Sequence, residues 1–134
     1  MKLNHDAGRY SLEKLAKAER LYLEDLRKNP KNPEALYGLG CVYALTRDLR
    51  RAIELWVRCV EIMPNWGEVH LSLAWAYYQL GQYREAFKHV EKAYKLGVKA
   101  KPSDQMFSNF IMKFPGSCFL SFLKKVKTSS LLLL

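Results

Sequence analysis

The chain has 134 residues, of which 49% are hydrophobic, and this length leaves room for one domain of ordinary size but not for two. Its formal net charge is +9, and residues 101–134 carry five lysines and one aspartate, so the basic excess lies near the C-terminus. Acidic and basic side chains are mixed through the first hundred residues, which argues against nucleic-acid binding because that function needs a focused basic surface.

The N-terminal ten residues contain Asp6 and Arg9 and lack the apolar run of a secretory signal, so we expect a cytosolic protein. No apolar stretch approaches the roughly 20 residues that a transmembrane helix needs. The three cysteines, Cys41, Cys59 and Cys118, have no metal-binding spacing, and we expect them to be reduced. The sequence therefore predicts neither a metal site nor a cofactor.

A first amphipathic helix is predicted from Ser11 to Lys28, preceded by an N-terminal extension of residues 1–10. Apolar residues recur in this stretch at steps of three and four, beginning with Leu12 and Leu15. The helix is expected to end before Asn29-Pro30, because proline disfavours helical geometry in the residue that precedes it.

A pair of helices is predicted next. Asn32 is a good N-cap and Pro33 suits the first helical position, so a helix should run from Pro33 to about Thr46. A turn near Arg47-Asp48 leads to a second helix from about Leu49 to Met63, which ends before Pro64.

The same plan recurs in the following residues. One helix should start at Asn65 or Trp66 and end near Leu80, and another should run from Gln82 or Tyr83 to about Leu96. Gly81 and Gly97 then supply the left-handed residues that commonly follow helix ends. Turns of a few residues within each pair predict antiparallel hairpins.

The two hairpins repeat each other without a gap, as residues 33–66 and 67–100. The matched positions are Leu39-Gly40 with Leu73-Ala74, Tyr43 with Tyr77, Ala52 with Ala86, Ile53 with Phe87, Trp56 with Val90, and Cys59 with Ala93. Small residues at these positions let helices approach closely, and the large ones, Phe87 among them, are predicted to fill the gaps between helices.

This arrangement resembles the tetratricopeptide repeat family. The first unit has the family's residues at Leu36, Leu39, Gly40, Tyr43, Ala52, Trp56, Cys59 and Pro64, and the second has them at Leu73, Ala74, Tyr77, Gly81, Tyr83, Ala86 and Ala93. The second unit departs from the pattern at His70 and Val98. The resemblance covers residues 11–114 and implies an all-α, right-handed superhelical array of antiparallel helix hairpins.

The repeat register extends beyond the two hairpins on both sides. Counting back by one repeat makes the first helix, residues 11–28, similar to the second helix of an earlier unit. Counting forward places Phe107 and Ile111 at family positions, so residues 103–114 are predicted to form a capping helix. Residues 115–134 are a basic, apolar C-terminal tail, for which a cap over the last hairpin, a membrane anchor and disorder all stay open.

The resemblance also implies a concave peptide-binding groove lined by the first helix of each hairpin. Its predicted residues are Glu34, Tyr37, Cys41, Leu45, Glu68, Leu71, Trp75, Tyr78, Gln79 and Asn109. Aromatic and aliphatic side chains contribute most of the energy at protein interfaces, so Tyr37, Trp75 and Tyr78 are the expected anchors. The alternative is that a terminal segment of the chain fills this groove.

Two acids, Glu34 and Glu68, lie at the predicted groove entrance. They would suit a partner peptide with a basic flank, but pairing with the positive ends of their own helices is the preferred explanation. The lysine and asparagine clamp with which some family members bind a C-terminal carboxylate is missing.

No catalytic motif is present, and His5, His70 and His89 are isolated in the sequence, so an enzyme is not predicted. The sequence predicts a noncatalytic module that binds a peptide or helix of a partner protein, as an adaptor or assembly factor. Alternatives are a chaperone for a hydrophobic segment of a secreted or membrane protein, and a peripheral membrane subunit held by its tail. Because about three repeats are needed for stability, a homodimer is also possible.

Overall fold

The computed structural model describes residues 2–98 and Lys125, with side chains from Leu12 onward. All regular structure within this part of the chain is helical. The helices are α1 (Lys2–Lys28), α2 (Pro33–Leu45), α3 (Leu49–Ile62), α4 (Gly67–Gln79) and α5 (Tyr83–Lys95). The predicted capping helix of residues 103–114 lies outside the described residues, as does the tail of residues 115–134 except for Lys125.

Helix ends in the two hairpins lie within about one residue of the predicted positions, because local side chains define them. The Asn32 side chain accepts a hydrogen bond from the Ala35 amide at 3.2 Å and thereby caps α2. Asp48 caps α3 in the same way, at 3.3 Å from the Arg51 amide. In the second hairpin, Trp66 and Gln82 occupy the cap positions without a side-chain hydrogen bond.

The first helix is longer than predicted. It begins at Lys2, whereas the sequence suggested a start at Ser11 after an N-terminal extension. Nothing in residues 2–10 is a proline, and a serine inside a helix does not interrupt it, so Ser11 is an interior residue of α1 rather than its first residue.

Consecutive helices pack against each other along the chain, from α1 on α2 to α4 on α5, with α3 bridging the two hairpins through α4. Two glycines make the closest approaches possible. A β-carbon built on Gly38 would lie 2.2 Å from the ring of Tyr22 in α1, and one on Gly40 would lie 2.3 Å from Nε1 of Trp56 in α3. The small residues of the repeat therefore act as predicted, by admitting a large side chain from the neighbouring helix.

The turns within the two hairpins share a left-handed residue. Gly81 has a φ of 78°, and Arg47, which precedes it by one repeat, has a φ of 69°. This conformation is strained for a residue with a β-carbon, so the first hairpin keeps the backbone geometry of the second at a cost in stability.

Candidate functional site

The predicted groove residues on α2 differ sharply in exposure. Glu34 is exposed and Leu45 is half-buried, whereas Tyr37 and Cys41 are buried. Since consecutive residues of a helix point in different directions, α2 keeps its acid at the surface while its aromatic side chain enters the core. The predicted anchor Tyr37 is thus closed to solvent in this conformation.

Tyr37 joins the two hairpins. Its ring lies 4.9 Å from the Trp66 ring and 6.2 Å from the Trp56 ring, measured between centroids. The Ser72 hydroxyl donates to the Glu68 carbonyl at 3.1 Å, so the Tyr37 hydroxyl donates to Ser72 at 3.1 Å. These contacts make Tyr37 an inter-repeat packing residue, a role that its position on the predicted groove did not reveal.

The predicted residues on α4 show the same division. Glu68 and Gln79 are exposed, Tyr78 is half-buried, and Leu71 and Trp75 are buried. Leu71 packs with Ala93 and Val98, and the Tyr78 ring lies 5.0 Å from the Tyr83 ring. The exposed part of this face is therefore polar, with Glu34 and Glu68 at equivalent repeat positions. Asn109 lies outside the described residues.

The cysteines correct one expectation. Cys41 is disulfide-bonded, so the prediction that all three thiols are reduced is wrong. Cys59 is free and buried, and its thiol donates to the Pro33 carbonyl at 3.4 Å. Burial raises the pKa of Cys59 to about 12, which keeps it a neutral, unreactive thiol. Cys59 thus serves as the small core residue that the repeat register predicts.

A stripe of large apolar side chains is exposed along α5. Tyr83, Phe87 and Tyr94 are 61%, 44% and 41% exposed, and their spacing of four and seven residues places them on one side of the helix. The prediction that Phe87 fills a gap between helices stays a prediction, because the residues that follow α5 lie outside the described part of the chain. We call Tyr83, Phe87 and Tyr94 the α5 stripe.

The corresponding residues of the first hairpin are covered. One repeat earlier, the positions of the α5 stripe are occupied by Leu49, Ile53 and Val60, which are partly buried against the main core cluster. Helix α4 packs on α3 and contributes to that cluster. The α5 stripe is therefore the side of a hairpin against which the first helix of a following hairpin packs.

Two histidines meet between α4 and α5, contrary to the expectation that they are isolated. The Nδ1 atoms of His70 and His89 are 3.1 Å apart, and Nε2 of His70 lies 2.9 Å from the Pro64 carbonyl. This geometry fits neutral rings in which His70 donates to Pro64 through Nε2 and His89 donates to His70 through Nδ1. Tyr77 stacks on His89 with 5.5 Å between ring centroids.

The environment of this histidine pair favours the neutral form of both rings. Burial is the main cause that lowers the pKa of His70, and burial together with the nearby His70 lowers the pKa of His89 to about 4. The equivalent residues of the first hairpin are Leu36 and Leu55, both buried. The histidine pair thus replaces an apolar core pair, and the sequence signal for it was that both histidines fall on core positions of the repeat.

Within residues 2–98 and Lys125, no group of three or more potential ligands is arranged to hold a metal ion. None of the helices found there is long and apolar enough to cross a bilayer.

Comparison with known proteins identifies the repeats. Residues 33–66 and 67–97 match the family model described as "Tetratricopeptide repeat". The BBSome complex member BBS4 of Bos taurus is 40% identical over 52 residues, which cover 39% of this chain and 10% of that protein. The match therefore concerns a small part of BBS4.

Solved structures of the protein MamA have the same fold. A crystal structure of MamA superposes with a TM-score of 0.61 at 25% identity, covering 65% of this chain and 51% of that one. The MamA R50E mutant gives a TM-score of 0.60 at 27% identity, with 72% of each chain covered. The chain thus spans about half the length of the first of these structures. The predicted all-α array of helix hairpins is confirmed.

Proposed function

Because the chain belongs to the tetratricopeptide repeat family, we propose that it is a noncatalytic adaptor or assembly factor that binds a helix or peptide of a partner protein. The observation that carries this proposal is the exposure of the α5 stripe. Large apolar side chains grouped on one side of a surface helix are typical of protein interaction sites. The relative BBS4 is a member of a complex, which supports a role in assembly.

The first hairpin shows what kind of partner the α5 stripe fits. There, α4 places Val69, Leu73 and Ala76 in the same apolar cluster as Ile53 and Val60 of α3. A partner helix on α5 would accordingly present a narrow row of aliphatic and small residues at helical spacing. The exposed side chains around the stripe include Arg84, Lys88, Lys92 and Lys95. They favour a partner helix whose edges are acidic.

The test is site-specific photo-crosslinking in the native cell. A photoreactive phenylalanine analogue replaces Tyr83 or Tyr94 in the α5 stripe, and Leu12, an equally exposed apolar residue of α1, serves as the control position. We expect one protein to crosslink from both α5 positions and not from Leu12, and its crosslinked peptide to map to an amphipathic helix. Crosslinking of the same proteins from all three positions would contradict the proposal.

A second variant separates contact from folding. Tyr83→Lys with Tyr94→Lys places like charges beside the lysines of α5, and should abolish capture of the crosslinked protein. Leu12→Lys, which adds a similar charge on α1, should leave capture unchanged. Thermal unfolding of both variants should stay close to that of the parent, because all three residues are exposed and the contact between Tyr83 and Tyr78 lies at the surface.

The face formed by α2 and α4 is the second surface that we propose, for an extended peptide with a basic flank. Its exposed acids, Glu34 and Glu68, support this proposal through their charge and their equivalent positions. Tyr37, Leu71 and Trp75 take part only if the partner's binding exposes them. Glu34→Lys with Glu68→Lys should weaken binding of such a peptide and reduce its dependence on salt, and an unchanged affinity would contradict this use of the face.

Three measurements on the purified protein distinguish the alternatives that the sequence leaves open. A chaperone would co-purify with one client in a fixed ratio and lose it on Trp75→Ala or Tyr78→Ala. A membrane subunit held by its tail would float with liposomes until residues 117–134 are removed. A molecular mass from light scattering distinguishes monomer from homodimer.

A further inference from the structure

Asp25 occupies a position of α1 that is buried in both complete hairpins. Counting forward in steps of one repeat, Asp25 is followed by Cys59 and then by Ala93, and both of these are buried. Cys59 faces the start of its own first helix, since its thiol donates to the Pro33 carbonyl. Ala93 similarly lies beside Gly67, the first residue of α4. The position therefore faces the first helix of its own hairpin.

Helix α1 has no such partner helix before it among residues 2–98. By the repeat register, the C-terminal part of α1 corresponds to the second helix of an earlier unit. The residues before it, which would form the first helix of that unit, are part of the same continuous helix from Lys2. Among residues 2–98, no neighbouring helix therefore fills the side of α1 that one fills in the other two units. The aspartate at Asp25, in place of a small residue, gives this side a negative charge.

Lys125 lies on this side of α1. It is helical, and its ammonium group forms an ion pair with the Asp25 carboxylate although the two residues are 100 positions apart. The same ammonium group lies 5.6 Å from the centroid of the Tyr22 ring. A carboxylate and an aromatic face therefore bind one lysine together, and both kinds of contact favour a cation.

This ion pair differs from an ordinary surface pair on the same helix. Glu24 and Arg27 pair within one turn of α1 with side chains 45% and 74% exposed, a type that contributes little to stability. The Asp25 and Lys125 side chains are each 30% exposed, so the contact is partly shielded from water. Partial burial and the adjacent Tyr22 ring make it selective for a basic side chain rather than a result of chance proximity.

We infer that Tyr22 and Asp25 form a binding site for a lysine presented on a helix, and that Lys125 is its occupant within the chain. The site lies on α1, apart from the α5 stripe and from the exposed acids of α2 and α4. A partner helix with a lysine between apolar residues binds there in competition with Lys125. Lys125 thus occupies the site until such a helix replaces it.

The test uses the full chain and a fluorescein-labelled synthetic peptide of residues 119–130, which contains Lys125 and no cysteine. Fluorescence anisotropy measures its binding to four forms of the protein: the parent, Lys125→Ala, Lys124→Ala, and Lys125→Ala combined with Asp25→Asn. Lys124→Ala is the matched control because it removes the same charge from the adjacent residue. The reverse change in the peptide, Lys125→Ala, tests the ligand.

In the parent, the chain's own lysine competes with the peptide at a high effective concentration, so removing it should tighten peptide binding by about tenfold or more. We expect this gain for Lys125→Ala and not for Lys124→Ala. Adding Asp25→Asn should abolish the gain, and the peptide with Lys125→Ala should bind no form tightly.

Equal affinities for the two lysine variants would overturn the inference, since the effect would then be one of net charge. Retention of the gain after Asp25→Asn would overturn it too, as would failure of every form to bind the peptide. Hydrogen exchange of the amides of residues 22–28 gives an independent measurement. Exchange should be faster in Lys125→Ala than in Lys124→Ala, and equal rates would contradict the contact.

Discussion

The two hairpins have the same backbone plan but fill its matched positions with different side chains. The first packs Gly40 against Trp56, whereas the second has Ala74 and Val90 at the same places, so that a small gain in volume on one helix accompanies a loss on the other. The buried pair Leu36 and Leu55 in the first corresponds to the histidine pair in the second. The comparison shows that the register specifies which positions meet, while the side chains that fill those positions differ between the hairpins.

The largest difference between the hairpins should appear when their central side chains are truncated. Trp56 is fully buried, and its indole Nε1 donates to the Tyr37 carbonyl at 3.1 Å. Trp56→Ala should lower the free energy of unfolding by about 3–5 kcal/mol, because it leaves a large cavity and removes the hydrogen bond from the indole to the Tyr37 carbonyl. Val90→Ala at the matched position removes less volume and should cost less. Urea denaturation followed by circular dichroism measures both, and equal losses would contradict the assigned role of Trp56.

The compensation between helix pairs is tested by a double-mutant cycle. Gly40→Ala alone should cost about 1–3 kcal/mol, since the added methyl group overlaps the Trp56 indole. Combining it with Trp56→Val recreates the Ala74 and Val90 arrangement in the first hairpin. The double variant should then be more stable than the sum of the single changes by about 0.5–3 kcal/mol. Simple additivity would show that the two positions are independent.

The histidine pair should make the second hairpin sensitive to acid. Both histidines have a pKa below that of the unfolded chain, so the folded state binds fewer protons than the unfolded state as the pH falls below about 6.5. The stability that the neutral pair contributes is therefore complete above pH 6.5 and declines as the pH falls towards about 4, where His89 becomes protonated in the folded state.

Replacing this pair with that of the first hairpin should remove the acid sensitivity. In His70→Leu with His89→Leu, the free energy of unfolding should change less between pH 7 and pH 4.5 than in the parent, as measured by urea denaturation at each pH. His5→Gln, which removes the third histidine, is the control and should keep the parent's dependence. If the free energy of unfolding of the double leucine variant changed with pH as much as that of the parent, other groups would be the cause of the loss of stability in acid.

The smallest expected effect concerns the left-handed turn residue. Arg47→Gly gives the first hairpin the residue that the second has at Gly81, and should stabilise the protein by about 1 kcal/mol because it relieves the positive φ. Gly81→Arg should destabilise it by a similar amount. Thermal unfolding measures both changes, and a loss of stability in Arg47→Gly would indicate that the arginine side chain has a contact worth more than the strain.

Local signals explain which parts of the fold could be predicted. Prolines, glycines and cap residues act within one turn of a helix, so the ends of α2 to α5 follow from residues such as Asn32 and Gly97. The start of α1 was placed too late because Ser11 resembles a cap in sequence, whereas its role depends on whether the preceding residues are also helical. The repeat period also places residues that face each other at matched positions of the two hairpins. It therefore indicates both the family and the packing of the helices.

The candidate site depends on contacts that a local pattern does not contain. The repeat register places Tyr37 and Trp75 on the first helices of their hairpins, but their burial depends on which residues of the rest of the chain cover them. The ion pair between Asp25 and Lys125 is likewise long-range. The histidine pair lies between these two cases. His70 and His89 are 19 positions apart, as are Tyr37 and Trp56, which are hydrogen-bonded in the first hairpin. Once one hairpin's contacts are known, the repeat register therefore indicates that the two histidines meet.

The length of α1 has a mechanical consequence. At 27 residues it extends about 40 Å, whereas α2, with 13 residues, extends about 20 Å and can lie against no more than half of it. The rest of α1 extends beyond α2. A small rotation of α1 on α2 would therefore move the Lys2 end of the helix by several ångströms.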